Sequence, residues 1–134
     1  MLVSRHVIFT GIFASILYPY IGFYSFVVFL SGFVFDIDHY FYYAIRKKDI
    51  NLVNAYNYSL ENGKPHRREK DVFHSFHTIE FWILLIILSF LTHKVFLFVF
   101  IGLIFHMFFD WIAMWKEQCF GGRAWSILGW ISRN

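Results

Sequence analysis

The stretch YIGFYSFVVFLSGFVFDIDH, residues 20–39, runs for sixteen uncharged residues and then sets Asp36, Asp38 and His39 together at its end. The apolar part is the signature of a segment solvated by lipid or by other helices. The charged edge raises the question of what two carboxylates and an imidazole do there. Upstream, the uncharged run reaches back to Val7, interrupted by Tyr18-Pro19-Tyr20. Proline removes an intrahelical donor and disfavours helix at the residue before it, and Gly22 lies close enough to help the chain turn. We therefore read a helical hairpin here in preference to one kinked helix about 44 Å long.

Two further apolar blocks, 72–92 and 95–115, meet at His93-Lys94. At helical rise each is about 31 Å long, matching the roughly 30 Å hydrocarbon thickness of a bilayer. The chain carries 16% charged residues, against about 25% in soluble domains, and 24% aromatics. These features predict one all-α integral membrane domain over 1–134, a polytopic bundle of two hairpins. Its helices are expected at about 4–18, 20–46, 72–92 and 95–116, the first short and partly re-entrant or sheltered. A polar loop or short surface helix is expected at about 47–71 and an interfacial tail, bearing Trp125 and Trp130, at about 121–134. Arg5 ahead of the first apolar block suits a signal peptide, but no small-x-small cleavage site follows and the apolar run continues. The single Cys119 excludes an internal disulfide.

Of the twelve Lys and Arg residues, only Lys94 falls on the far side of these hairpins. By the positive-inside rule the other face is cytoplasmic, with both termini, in a plasma (inner) membrane. Basic residues flanking membrane segments are explained by topology, so nucleic acid is not an expected partner.

Ionisable residues in spanning segments are costly and mark function. His6 lies 13 residues before Pro19 and Asp36 lies 17 after it; His77 lies 16 before His93, with His106 and Asp110 13 and 17 after it. Folded back on themselves, the hairpins bring these groups to one layer, roughly 20 to 25 Å from the far turns. His106 and Asp110 share a helix face at i, i+4 spacing, as do Asp36 and His39, and His74 and His77, at i, i+3. Glu80 continues the stripe of His74 and His77 and is expected to orient one of them or to face a water-filled cavity. Asp38 stands about 200° from Asp36 on an ideal helix, so either it acts behind the ligands or the helix loosens there. His93, beside Lys94, reads as interfacial.

Imidazole and carboxylate donors together suit a borderline divalent ion, zinc first, with manganese or iron as alternatives. His6, Asp36, His39, His74, His106 and Asp110 offer enough donors for one or two ions. Two ions about 3.5 to 4 Å apart clamp a phosphate attacked in line by water, which makes phosphoester hydrolysis the expected chemistry. Asp38 is the candidate for taking the proton of that water. The competing class is a non-catalytic membrane protein with a structural metal or polar clasp, whose basic loop binds a partner or anionic lipid. A metal or proton carrier would need ionisable residues across the whole membrane, and these stop at one layer.

His6, the FDIDH box, His66-Arg67, His74-Ser75 and HMFFD (His106–Asp110), in that order, resemble the inner-membrane metal-dependent hydrolases, also described as LexA-binding inner-membrane-associated hydrolases. That pattern is an N-terminal His, PDxDH closing the second helix, HRGxTHS opening the third and HxxxD in the fourth. The resemblance covers most of the chain and implies a membrane hydrolase. In it Asp36, Asp38 and His39 take the DxDH roles as metal ligands, with His74, His106 and Asp110. Ser75 stands behind them in the HS pair, and His66 and Arg67 take the HR positions. Phe35 replaces the proline, and His74 follows Arg67 by seven positions. Arg67, with Arg68 and Lys70 nearby, is expected to attract the phosphate. The HxxxD helix is more loosely similar to zinc-dependent phospholipases C, implying a membrane lipid or isoprenoid phosphate as substrate.

Overall fold

The computed structural model describes residues 3–62, 73–118, 120 and 123–132. His66, Arg67, Arg68, Lys70 and Cys119 lie outside the described residues. Within them the chain is helical: α1 (Val3–Ile21), α2 (Tyr24–Val34), α3 (Ile37–Lys47), α4 (Leu52–Asn62), a 3-10 turn (Ser75–His77), α5 (Ile79–Leu91), α6 (Val95–Lys116) and α7 (Ile127–Ile131).

The first hairpin is present, but its turn sits later than the sequence predicts. Pro19 is accommodated inside the last turn of α1, and the reversal falls at Gly22, whose φ of 56° is the left-handed conformation that glycine adopts without steric cost. Consequently α1 is not short. The long helix expected over 20–46 is instead two. At Phe35-Asp36 the backbone tightens into successive i to i+3 hydrogen bonds, Asp36 N to Phe33 O, Asp38 N to Phe35 O and His39 N to Asp36 O. This break resolves the 200° problem: Asp38 turns inward as well as Asp36.

The block at 72–92 forms a helix only from Ile79 onward, because His74 and Thr78 are extended on either side of the 3-10 turn. At 13 residues α5 is an apolar helix about 20 Å long, whereas α6, with 22 residues, is the one helix among those described that is long and apolar enough to cross a membrane. The polar segment after α3 contains α4. Lys48 closes α3 in a left-handed conformation, and the Asn51 side-chain oxygen Oδ1 accepts from Val53 N and Asn54 N to start α4. Asp49 accepts from Tyr43 Oη, Asn54 Nδ2 and Asn51 N. Those bonds, the Tyr43 one foremost, hold its carboxyl below the usual carboxylate range.

Small residues let α2 sit tightly between α1 and α6. A Cβ at Gly32 would run into the Thr10 side chain, and one at Gly102 into Ser31 Oγ and the Val28 carbonyl. Parallel ring stacks, Phe9 on Phe109 and Phe13 on Phe105, join α1 to α6 along the same seam. Leu85, Leu103 and Met107 form the apolar core between α5 and α6, with Phe35, Phe81 and Trp125 packed against it.

Gly102→Ala is expected to destabilise the protein by about 1–3 kcal/mol, because the added methyl meets backbone at Val28 that cannot rotate away. Gly11→Ala, whose methyl would rest 3.5 Å from the Phe29 ring, is expected to be neutral or stabilising; thermal unfolding in detergent compares the two. The α3–α4 corner has an acid limit. Asp49 is depressed in the folded chain, so its contribution is present above the unfolded value near 3.9 and is lost as pH falls through the lower folded value. Amide exchange at Asn51–Asn54 is expected to accelerate in that acid window, and Asp49→Asn to abolish the pH dependence.

Candidate metal centre

Four elements meet where the α2–α3 break faces the ends of α1 and α6. The α1 helix supplies His6, 1% exposed, and Thr10 one turn on ties its hydroxyl to His6 O at 2.6 Å and to Gly32 O at 3.4 Å. The break and first turn of α3 supply Asp36, Asp38 and His39; the 3-10 turn supplies His77 and the residue before it His74; α6 supplies His106 and Asp110. These eight side chains form four overlapping triads, His6/Asp36/His106, Asp36/His39/His77, Asp38/His39/His74 and His77/His106/Asp110, in each of which the donor atoms lie within 4.8 Å of one another. Such buried groups could hold a metal ion.

The tautomers can be followed from the hydrogen bonds. His106 Nδ1 lies 3.0 Å from the Gly32 carbonyl oxygen, which only accepts, so Nδ1 carries the proton and Nε2 presents its lone pair. His77 Nδ1 lies 2.8 Å from Asp38 Oδ2, again an acceptor, so His77 Nε2 is likewise a lone pair when the ring is neutral. The two Nε2 atoms face each other at 3.1 Å. With both rings neutral, two lone pairs at that distance repel, and a shared proton or a metal cation between them removes the conflict. Nitrogens held about 2.0–2.1 Å from a tetrahedral zinc stand about 3.3 Å apart, close to what is observed.

Around this pair, Asp36 Oδ1 stands 3.5 Å and Asp110 Oδ2 3.6 Å from His106 Nε2, and His6 Nε2 stands 3.3 Å from Asp110 Oδ1. His74 Nδ1 is 3.6 Å from Asp38 Oδ1, and His39 Nε2 3.6 Å from Asp36 Oδ1. His6 Nδ1, Asp36 Oδ2, Asp38 Oδ1 and His74 Nδ1 are buried without a hydrogen-bond partner among the described residues. Buried polar atoms left without a hydrogen bond cost about 1–3 kcal/mol each, so their gathering in one place points to a ligand. Arg123 Nη2 lies 3.2 Å from Asp110 Oδ2. The clustered imidazoles and carboxylates could hold a metal ion.

Not every expected site residue joins the cluster. Glu80 makes its hydrogen bonds elsewhere than to His77 or His74. The extended Thr78 ends the stripe that helical spacing implied, and Glu80 instead accepts from Ser126 Oγ, Ile127 N and Leu128 N at the start of α7. Ser75 offers its carbonyl to Thr78 Oγ1 at 2.9 Å, closing the 3-10 turn that aims His77. His93 is exposed and caps α6 through Val95 N. His77, read from sequence only as a residue behind the ligands, lies at the centre with no exposed surface. Arg123 is a site residue that the sequence does not single out, since it is one of two basic side chains in a tail suited to the headgroup zone.

His106→Ala and His77→Ala are each expected to lower divalent-metal affinity by at least about tenfold, with His93→Ala unchanged, measured by elemental analysis of protein equilibrated with buffered zinc. No protein-family model, curated protein or solved structure matches the chain, so the chemistry of this centre is read from its own residues.

Proposed function

We propose that the chain is a membrane-embedded metal-dependent hydrolase acting on a phosphoester of a lipid or isoprenoid at the cytoplasmic membrane surface. The observation that carries this reading is the pair of imidazole lone pairs, His77 Nε2 and His106 Nε2, facing each other at 3.1 Å inside a ring of carboxylates. The resemblance to inner-membrane metal-dependent hydrolases points the same way.

Support for a polytopic arrangement of both hairpins comes from the distribution of polarity. Buried positions include His, Asp, Ser and Thr beside the apolar core, while Ile8, Ile12 and Ile16 form an exposed stripe on α1, and Phe90 and Leu91 are more than three-quarters exposed at the end of α5. A chain with its polar groups inside and its apolar ones outside is suited to lipid. With only Lys94 of the twelve basic residues between the two later apolar blocks in the sequence, the centre would lie on the cytoplasmic side.

His6, Asp36, His39, His74, His77, His106 and Asp110 would hold one or two divalent ions, with Asp38 as a further ligand or as the group orienting His77. Such an ion supplies Lewis acidity toward water and toward a phosphoryl oxygen. The chain's own groups do the rest. Gly32 O and Asp38 fix the tautomers of His106 and His77, so neither ring must reorient. Asp38 Oδ1, buried without a hydrogen-bond partner among the described residues, would accept the proton. Stacking of His6 on His106, with ring centres 4.0 Å apart, shields that ring's face from water.

The second reading is a structural clasp, with the basic loop binding a partner or anionic lipid; full burial of His77 and His106 favours it. Against it stands the Asp36–His39 edge, where the side chains are 11% and 28% exposed. Catalytic sites keep such an opening while structural sites close. The test is phosphate release from a panel of lipid phosphates by metal-loaded protein in detergent. Turnover is expected for the native chain and background rates for His106→Ala and Asp36→Ala. Metal retained by the native chain with no turnover on any phosphoester or carboxylic ester would leave the clasp.

A further inference from the structure

The C-terminal segment is attached to the bundle more firmly than an interfacial tail requires. Ile79 N donates to Trp125 O at 3.0 Å, and Glu80 accepts from Ser126 Oγ, from Ile127 N at 3.0 Å and from Leu128 N at 3.3 Å. Ala124 is fully buried, and Trp130 packs on Phe73 with ring centres 4.8 Å apart. None of these contacts involves a His or Asp of the cluster. Their common effect is to fix the segment that begins at Arg123, and with it a guanidinium whose Nη2 lies 3.2 Å from Asp110 Oδ2 and whose Nη1 lies 3.9 Å from Met107 Sδ.

We infer that Arg123 is the anion-binding residue of the centre, recognising a phosphate monoester dianion beside Asp110, and that the C-terminal segment is a strap, locked by Glu80, which holds it in place. The inference deepens the hydrolase reading and rests on it for the cation, but its own residues lie outside the donor set. A guanidinium presents five N–H donors in a planar fork. The contact with Asp110 engages one nitrogen, and the thioether beneath the other is a weak acceptor, so the fork retains donors for a second anion. Asp110 Oδ2 is also 3.6 Å from His106 Nε2. Arg123 therefore stands one carboxylate away from the cation-binding nitrogens, and a phosphoryl group there would be gripped by cation and guanidinium together. A lysine would balance the Asp110 charge equally well; the planar fork adds directed recognition of phosphate oxygens.

The dianion is common to inorganic phosphate and to the headgroup of phosphatidic acid, so both are titrated. Zinc-loaded full-length protein in neutral detergent is titrated with inorganic phosphate and, separately, with phosphatidic acid in mixed micelles, with zinc content measured on every variant. Arg123→Ala is expected to weaken binding about ten- to hundredfold at unchanged zinc content, and Arg123→Lys to fall between it and the native chain. Glu80→Gln is expected to weaken phosphate binding while zinc stays bound. Weakening in both titrations assigns recognition to the phosphoryl group itself; weakening with the lipid alone assigns the same residue to a headgroup. Unchanged phosphate affinity in Arg123→Ala, with only zinc affinity altered, would reduce Arg123 to a counter-charge for Asp110 and overturn the inference. An unaltered Glu80→Gln would remove the strap. A native chain that takes up no divalent ion defeats the hydrolase reading, whereas a zinc-loaded native chain that ignores both ligands defeats this inference alone.

Discussion

The close approach of α1, α2 and α6 at Gly32 and Gly102 is the constraint on which the molecule depends. Without side chains at those positions the three backbones come near enough for Thr10 and His106 to reach the same carbonyl, that of Gly32. This one acceptor sets the depth of His6, through Thr10, and the tautomer of His106. Packing thus becomes chemistry without an intervening loop. A helix seam widened by even one methyl group would separate the imidazoles before it disturbed the apolar core, which lies between α5 and α6.

Buried polar side chains lie beside a small apolar core, and many large apolar side chains are exposed. Along α2, Ser25, Val28, Ser31 and Gly32 are buried while Phe26, Leu30 and Val34 are exposed. Close packing of small residues with polar contacts is the way helices associate in lipid. The cost of gathering Asp36, Asp38 and Asp110 in such an interior is large unless a cation accompanies them, which links the stability of the bundle to the occupancy of its centre.

Much of this was legible in the sequence because it depends on counting. Similar distances from Pro19 and from His93, 13 to 17 residues, put His6, Asp36, His77, His106 and Asp110 at nearly one depth, and the structure brings them together. Helical periodicity failed where the chain is not helical. It carried Glu80 into the site across Thr78, which is extended; for Asp38, of the two alternatives the sequence left, the loosened helix is the one found, at Asp36. Pro19 was read as the turn, yet a proline near the end of a helix disrupts only donors that are about to be lost, and Gly22 supplies the positive φ that the reversal needs. Arg123 could not be found by spacing at all, since its position is set by contacts between the start of α5 and a segment more than forty residues later. The guanidinium sought in His66-Arg67 falls outside the described residues.

The central claim is that a divalent cation lies between His77 and His106. X-ray absorption at the zinc edge on the metal-loaded protein tests it most directly. The account requires a four- or five-coordinate first shell of nitrogen and oxygen at about 2.0–2.2 Å, with the multiple-scattering signature of at least two imidazoles, reduced by one imidazole in His77→Ala. A first shell of water oxygens alone, or a spectrum that His77→Ala leaves unchanged, would contradict it.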